Sequence, residues 1–386
     1  MRVAVGLSGG VDSAVTALLL RDQGPAMAGQ GHEVVGVHLY CWPPKSEYKD
    51  EKLKKDWIKK NGCRADEDEQ LALKTALELG IKFVKLDFSE EYNKKVVDYF
   101  YAEYEAGRTP NPDVLCNSEI KFGLFLDWAL ENNFDCIATG HYASLRHCES
   151  RTRDVAIHPL DRHVGLPPRD DGNEGYSLCI PKDKHKDQTY FLWKLTEKEL
   201  KHVLFPLGDY LKTEVREIAL KNNLTVAKRK DSQGICFIGN VEAREFLSRR
   251  LKEKPGVVRD IKGDIIGEHS GVWFYTIGQR GGWTINPKLQ TSESPIYYVV
   301  GKDAVKNELV VGVGKETESD SFSITEVNGV LDGKMLVRIR HTGQLIPCEV
   351  SNNRVVLSKP QNGVAPGQSA VFYADDDEML GGGVIA

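Results

Sequence analysis

The 386-residue chain contains no Cys-x-x-Cys pair; its eight cysteines stand singly at 41, 63, 116, 136, 148, 179, 236 and 348. That scatter argues against a zinc ribbon or a dithiol redox motif. There is no apolar run of about 18 residues and no basic leader before an apolar stretch, so neither a spanning helix nor a secretion signal is expected. Without such a signal a disulfide framework is disfavoured, and most of the thiols read as small buried hydrophobes. Basic charge is not in excess either. Fifty-one Lys and Arg against 56 Asp and Glu leave a net charge of -5, which argues against a uniformly basic nucleic-acid binder but leaves room for a local basic face. No internal repeat or low-complexity tract interrupts the chain. The remaining composition, 41% hydrophobic and 28% charged, is that of an ordinary globular protein too long for one core, so two or three domains are expected. A soluble, cytoplasmic protein without a membrane partner is the expectation, although a trimmed organellar form would read the same way.

What is present begins at the first strand. Val3-Ala4-Val5 has the β-branched content of a buried parallel strand, and residues 14–20 are helix formers throughout. Between them lie Gly6, Leu7, Ser8, Gly9, Gly10, Val11, Asp12 and Ser13. Glycines let backbone N–H groups approach an anion, the serines add hydroxyl donors, and a helix N-terminus carries partial positive charge: this is a phosphate cradle. The Gly-Lys-Ser/Thr ending of a Walker A loop is missing. Ser-Gly-Gly-Val-Asp-Ser instead resembles the loop of ATP pyrophosphatases, which hold the pyrophosphate of ATP during adenylyl transfer.

Residues 32–40 read as a second strand, and Leu39 and Tyr40 at its end suit either an adenine pocket or plain core packing. The lysine-rich run 45–64 suits a solvated helix face or contact with RNA phosphates. A helix over 67–79, a strand over 82–86 and a helix over 91–106 ending at Gly107 continue the alternation of a doubly wound sheet. In 108–117, Pro110 and Pro112 with Asn111 and Asp113 predict a rigid extended loop carrying Cys116, with Lys121 near enough to lower a thiol pKa. A structural and a reactive cysteine both satisfy these local facts. A helix over 121–132 and a strand over 136–139 lead to Gly140-His141-Tyr142 at the carboxyl edge of the sheet. Gly140 there permits close approach to a nucleotide; His141 reads equally as a site residue or a satisfied, half-buried one.

Residues 148–184 read as a long surface insertion with a hairpin. Lys186-Asp187-Gln188-Thr189-Tyr190 opens an aromatic helical segment to 195, which suits stacking on unpaired RNA bases. After a helix over 211–222, Lys228-Arg229-Lys230 and a Ser/Gly loop lead to Cys236 between Ile235 and Phe237, a setting for a stabilised thiolate or for a buried strand cysteine. Beyond 242 short alternating segments and turn dipeptides such as Asn352-Asn353 and Asn362-Gly363 predict β structure: a small β-rich domain, then a compact barrel. Arg338, Arg340 and His341 read as a basic strand with alternate residues on one face. The expected division is 1–232, 233–302 and 303–386.

Taken together, the loop 6–13, Gly-Arg-Thr-Pro-Asn-Pro-Asp-Val-Leu-Cys-Asn, Ala-Thr-Gly-His-Tyr, Lys-Asp-Gln-Thr-Tyr-Phe-Leu, Asp-Ser-Gln-Gly-Ile-Cys-Phe-Ile-Gly, Tyr-Thr-Ile-Gly-Gln-Arg and Pro-Gly-Gln-Ser-Ala-Val-Phe-Tyr resemble the tRNA-specific 2-thiouridylases, the MnmA family. The resemblance implies an α/β fold: a doubly wound parallel-sheet ATP-pyrophosphatase domain, a small β-rich central domain and a C-terminal β-barrel. It implies thiolation at C2 of the wobble uridine of tRNA, with ATP and Mg²⁺ used and AMP and pyrophosphate released. Cys236 then carries a persulfide received from a sulfur-relay protein or a cysteine desulfurase, and Cys116 either reduces it to release hydrosulfide or resolves the intermediate, leaving a Cys116–Cys236 disulfide for an outside reductant. Asp113 is a general acid or base, Gly140 contacts ATP, and Asn111, Pro112 and Asp113 line the target base. His141, Lys186, Asp187, Gln188, Arg340, His341 and Gln368 touch the tRNA. Leu39 stands where the family often has Met. An iron–sulfur cluster has been considered in such enzymes; here Asp113, Cys116 and Cys236 are its obvious ligands, and a cubane on three protein ligands needs an open iron site. The rivals are a nitrogen-transferring synthetase or amidotransferase of the same loop family, for which no glutaminase-like module is evident, and a tRNA-binding protein without catalysis.

Overall fold

The computed structural model describes residues 1–22, 32–50, 52–55, 64–149, 174–230, 243–287 and 295–386. They fall into two units, one of Met1–Val96, Asp113–Asn240 and Asp376–Met379, the other of Val97–Pro112, Val241–Asp375 and Leu380–Ala386.

The first unit is built on a sheet of β1 (Arg2–Gly6), β2 (Glu33–Tyr40), β3 (Lys82–Asp87), β4 (Cys136–Ala138) and β7 (Val203–Leu204), in the order β3-β2-β1-β4-β7. Every pairing is parallel. Between β4 and β7 the chain makes an antiparallel hairpin of β5 (Ser144–Glu149) and β6 (Glu174–Cys179). The chain leaves β1 for β2 and β3 on one side and returns to β4 and β7 on the other, so the switch point lies between the carboxyl ends of β1 and β4. Helices α1 (Val11–Asp22), α2 (Ala65–Leu79) and α3 (Lys212–Lys221) accompany the sheet. The core joins Val3 and Val5 of β1 to Val15 and Leu18 of α1, Ala72 and Ala76 of α2, and Val215 and Ala219 of α3. Helix α1 is buried nearly all round, from Val11 and from Ser13 to Leu20, which explains its lack of a polar stripe.

In the region of residues 108–117 the structure departs from the extended loop that two prolines suggest. A helical turn starts at Pro112 (Pro112–Leu115) and runs on as a π-helical stretch, Cys116–Leu124, into Phe125–Glu131. Pro112 stands at the first helical position, where its missing N–H costs nothing and its fixed φ suits the helix. Cys116 is therefore a helical residue. The segment expected to be helical over 186–195 instead holds only the 3₁₀ turn Thr189–Phe191.

In the second unit, β8 (Gly256–Asp260), β9 (Ile265–His269), β10 (Thr284–Ile285), β11 (Tyr298–Asp303) and β12 (Glu308–Gly312) form a sheet in the order β10-β9-β8-β12-β11. A closed barrel follows: β13 (Glu318–Asn328), β14 (Gly333–Arg338), β15 (Ile346–Ser351), β16 (Arg354–Asn362), β17 (Ser369–Tyr373) and β18 (Met379–Ile385), ordered β13-β16-β15-β14-β17-β18. Burial alternates along β15, with Ile346, Cys348 and Val350 inside. Asn352 and Asn353 both take positive φ, 50° and 63°, between β15 and β16, as a two-residue type I′ turn requires. Strand β14 ends at Arg338, which is buried with its guanidinium 5.2 Å from the centre of the Tyr373 ring, whereas Arg340 is exposed beyond the strand. The basic strand expected over 338–341 thus does not form, because the chain turns as soon as Arg338 is inside.

Phe372 on β17 is fully buried in the barrel core. Phe372→Ala is expected to cost about 3–5 kcal/mol, measured by urea unfolding of the full chain.

Candidate functional site

The loop after β1 is held by its own hydroxyls. Ser8 N–H donates to Ser13 Oγ (3.1 Å), Ser13 Oγ donates to the Gly10 carbonyl (3.1 Å), and the two serine oxygens lie 3.2 Å apart. Gly9 needs positive φ (75°), and a Cβ there would lie 2.5 Å from the Asp68 carbonyl. Gly10 N–H reaches Ser8 Oγ only at 3.4 Å. The first intrahelical bond of α1 runs from Ala14 N–H to Gly10 O, so the amides of the first turn are the donors that a helix leaves without intrahelical partners. Leu7 is buried beneath, its N–H bonded to Val37 O (2.8 Å) and its carbonyl 2.9 Å from His38 Nδ1.

The loop after β4 crosses this turn. A Cβ on Gly140 would lie 2.8 Å from Ser13 N and 3.1 Å from Asp12 Cβ, so only glycine allows the two backbones this approach. The next residues tie the loop to its surroundings. Tyr142 OH donates to Asp12 Oδ1 (3.0 Å), and Tyr142 exchanges two bonds with Gln188: its N–H to Gln188 Oε1 (2.9 Å) and Gln188 N–H to its carbonyl (2.9 Å). Asp187 is buried and accepts from Thr189 N–H and Oγ1 (2.9 and 2.7 Å). Lys186 N–H caps back to Asp183 O at 3.0 Å. Of the aromatic residues beyond, Tyr190 and Trp193 are core, each 1% exposed, and offer no platform for RNA bases because the turn folds them inward, while Phe191 is half-buried.

His141 is buried, its Nδ1 2.8 Å from Thr139 Oγ1 and its Nε2 3.4 Å from Lys121 Nζ. Burial, and secondarily the Lys121 charge, hold its pKa well below the ordinary 6.5. Lys121 Nζ also donates to Asn117 Oδ1 (2.9 Å), the residue after Cys116. Cys116 itself is fully buried. Thus the Cys116 helix, the Gly140-His141-Tyr142 turn, Gln188 and the loop after β1 form one connected network in the first unit. Asp113 is half-buried in the turn that precedes Cys116, and Leu39 is buried on β2 beside Leu86. In the second unit Asn111 and Pro112 are half-buried, Arg340 donates to Asn362 O (3.1 Å), His341 lies in the turn after β14, and Gln368 Nε2 donates to Thr109 O (3.0 Å). Cys236 lies outside the described residues, as do Cys63 and residues 150–173 and 231–242.

Two cations stand at the loop that the sequence motif does not announce. Lys212 is buried and brackets the Asp12 carboxylate at 2.7 and 2.8 Å. It is the first residue of α3, an unfavourable place for a cation by the helix dipole, and that anomaly is the one local signal for it. Arg229 donates to the Gly9 carbonyl (2.6 Å) and pairs with Asp68; in sequence it reads only as part of a basic triplet. Lys54, from the run expected to be a solvated face, is buried with its ammonium 4.6 Å from the centre of the Tyr40 ring and 3.4 Å from Asp66. Cys41, Cys116, Cys136, Cys179 and Cys348 are buried. Burial pushes the thiols of Cys136, Cys179 and Cys348 up to about 12, which makes them inert.

A glycine-lined helix N-terminus with two hydroxyls, at the switch point of a parallel sheet, suits the phosphates of a nucleotide. Among the described residues no three His, Cys, Asp or Glu side chains gather to hold a metal, and no helix is long and apolar enough to cross a membrane. Family models match in series: the tRNA methyl transferase HUP domain over 1–240, the tRNA methyl transferase PRC-barrel domain over 244–313, and the aminomethyltransferase beta-barrel domain over 321–385. Sheet, loop and match together define a HUP-domain protein with two appended β modules. The chain is 39% identical over 398 residues to the tRNA-specific 2-thiouridylase MnmA of Streptococcus sanguinis, spanning 100% of this chain and 95% of that one. It is 40% identical over 397 residues to that of Streptococcus mutans, with 100% and 95% covered, and 40% over 398 to that of Lactococcus lactis subsp. cremoris, with 100% and 94%. The chain belongs to the tRNA-specific 2-thiouridylase family.

Gly140→Ala is expected to cost about 1–3 kcal/mol by overpacking and to weaken ATP binding, read by thermal melts with and without ATP. His141 adds a pH dependence. Because its folded pKa lies below the ordinary 6.5, the unfolded chain binds a proton below about pH 6.5 that the folded chain does not, so stability is held above that pH and falls as pH drops. Urea midpoints between about pH 7 and 5 should decline less steeply in His141→Asn than in the parent.

Proposed function

We infer that the chain transfers sulfur to C2 of the wobble uridine of tRNA at the expense of ATP. What carries this reading is full-length identity of about 40% to 2-thiouridylases in a chain whose Gly140 backbone fits against the first turn of the Ser8–Ser13 loop. The donor set agrees with a triphosphate: the first-turn amides of α1, Gly10 N–H, and the hydroxyls of Ser8 and Ser13. Asp12, the acidic group of the loop, would help to hold a Mg²⁺ ion, which would supply positive charge to the departing pyrophosphate. Lys212 pairs with Asp12 and holds it in place; Leu39 belongs to the adenine side. What ATP supplies is adenylylation of the C2 oxygen, which turns a poor leaving group into AMP.

The chain's own residues do the rest. His141, held neutral, keeps the Gly140 turn uncharged beside the phosphates while Thr139 and Lys121 orient its ring. Asn111, Pro112 and Asp113 line the target base, with Asp113 moving a proton at it. Lys186, Asp187, Gln188, Arg340, His341 and Gln368 are assigned to tRNA contact on their motifs. Cys236 delivers sulfur as a persulfide obtained from a relay protein or desulfurase. The Cys116 thiolate attacks the inner sulfur, forms the Cys116–Cys236 disulfide and releases the outer sulfur to C2. Since Cys116 is fully buried, its turn must open when tRNA enters. A π-helical stretch, one residue looser per turn than an α-helix, is suited to that change.

The test is thiolation of unmodified anticodon stem-loops with Mg-ATP and a persulfide donor under anaerobic, cluster-free conditions, with 2-thiouridine read by mass spectrometry. Cys116→Ser and Cys236→Ser should each abolish product and keep tRNA binding. Product that appears only with sulfide after cluster reconstitution would replace the persulfide route by an iron–sulfur one.

A further inference from the structure

The peptide between Gly9 and Gly10, in the loop after β1, is gripped from behind. Arg229 Nη1 donates to the Gly9 carbonyl at 2.6 Å, while its Nη2 pairs with Asp68 and stands 3.8 Å from Glu67, both in the first turn of α2. The Arg229 side chain is largely buried, at 14% exposure. Gly9 is buried too, and a Cβ on it would lie 2.5 Å from the Asp68 carbonyl oxygen and 3.1 Å from Arg229 Nη1. On the other side of the same peptide Gly10 N–H faces the hydroxyl of the exposed Ser8, at a loose 3.4 Å. All these residues belong to the first unit.

We propose that Arg229 is a positioning residue for the anion cradle: it locks the Gly9–Gly10 peptide in the orientation that presents Gly10 N–H to a phosphate oxygen, and it does so without touching the phosphate. A trans peptide is planar, so its C=O and N–H point in opposite directions, and fixing one aims the other. The lock is needed because this peptide lies between two glycines, where the backbone turns most freely. Turned over, it would put the Gly9 carbonyl oxygen, an acceptor, where an anion has to sit, and would remove a donor from the cradle. Asp68 fixes the guanidinium by one nitrogen and leaves the other for Gly9. The same pairing balances the charge of Arg229, so its service to the cradle is geometric. The nucleotide part rests on the thiolation reading above; the lock itself does not.

The experiment uses the full chain and two variants: Arg229→Met, which keeps the length without donors, and Arg229→Met combined with Asp68→Asn, which removes the ion pair as a charge-neutral unit. Glycine labelled at its nitrogen and its carbonyl carbon leaves four amide signals visible in an HNCO spectrum, those of Gly10, Gly282, Gly382 and Gly383, because only these follow another glycine. The last three lie in the second unit, and their unchanged positions are the sign of a folded variant. Expected, before any ligand is added, are one sharp Gly10 signal in the parent and a broadened or doubled one in both variants. Inorganic pyrophosphate and AMP are then titrated separately by calorimetry. Pyrophosphate is expected to bind about ten- to a hundredfold more weakly in both variants, as loss of a hydrogen bond to a charged group produces, with AMP affinity within about twofold of the parent's. A Gly10 signal that stays single and sharp in the variants overturns the proposal, as does pyrophosphate affinity left at the parent's value. Pyrophosphate binding that weakens in the single variant and recovers in the double one assigns Arg229 to the anion through its charge, and overturns the proposal as well. A parent protein that binds neither probe overturns the nucleotide reading instead, while the Gly10 line shape still decides whether Arg229 holds the peptide.

Discussion

The close approach of Gly140 to the first turn of α1 is the contact on which the first unit's site depends. Two loops leave the sheet on opposite sides of the switch point, and they meet only because one of them lacks a side chain where they cross. Everything around the crossing is arranged to keep it. Asp12 is drawn toward Tyr142 and Lys212, His141 is packed against Thr139 and Lys121, and Gln188 holds the backbone of Tyr142. The network reaches from the anion cradle to the residue beside Cys116 without leaving the first unit.

Electrostatics in this network follow from burial. A histidinium next to the Lys121 ammonium inside the protein would be doubly unfavourable, so His141 stays neutral and can only exchange hydrogen bonds. Lys212 and Arg229 are each matched by a carboxylate, Asp12 and Asp68. The cradle therefore has two cations at hand whose charge is already balanced, and an incoming polyanion competes with Asp12 for one of them.

Much of this is legible in the residues alone. The β-branched strands, the glycine loop after β1, the glycine after β4 and the paired Asn turn of the barrel each rest on a backbone preference that acts locally. The failures share a cause. Pro112 looks like a helix breaker, yet a proline at a helix start is favoured, and only the fold of the residues after it decides between the two. Tyr190 and Trp193 look like a stacking surface until the fold turns them inward, and Arg338 and Arg340 look equivalent until the strand ends between them. Lys212 and Arg229 find their partners about 160 to 220 residues away in sequence, a separation that no local pattern encodes. The segment around Cys236 lies outside the described residues, and its role rests on the motif.

The excursion of residues 97–112 interleaves the two units along the sequence. The helix Asp98–Glu105 belongs to the second unit, where Tyr101 bonds to the Phe246 carbonyl at 2.6 Å and Phe100 packs its ring against that of Phe246. The second unit is thus assembled from stretches on both sides of residues 113–240 in sequence. A cut near residue 240 would leave the N-terminal product with an aromatic helix stripped of its cover, and the C-terminal product without one of its own walls. The two units are interleaved along the sequence, so a single cut releases neither of them whole.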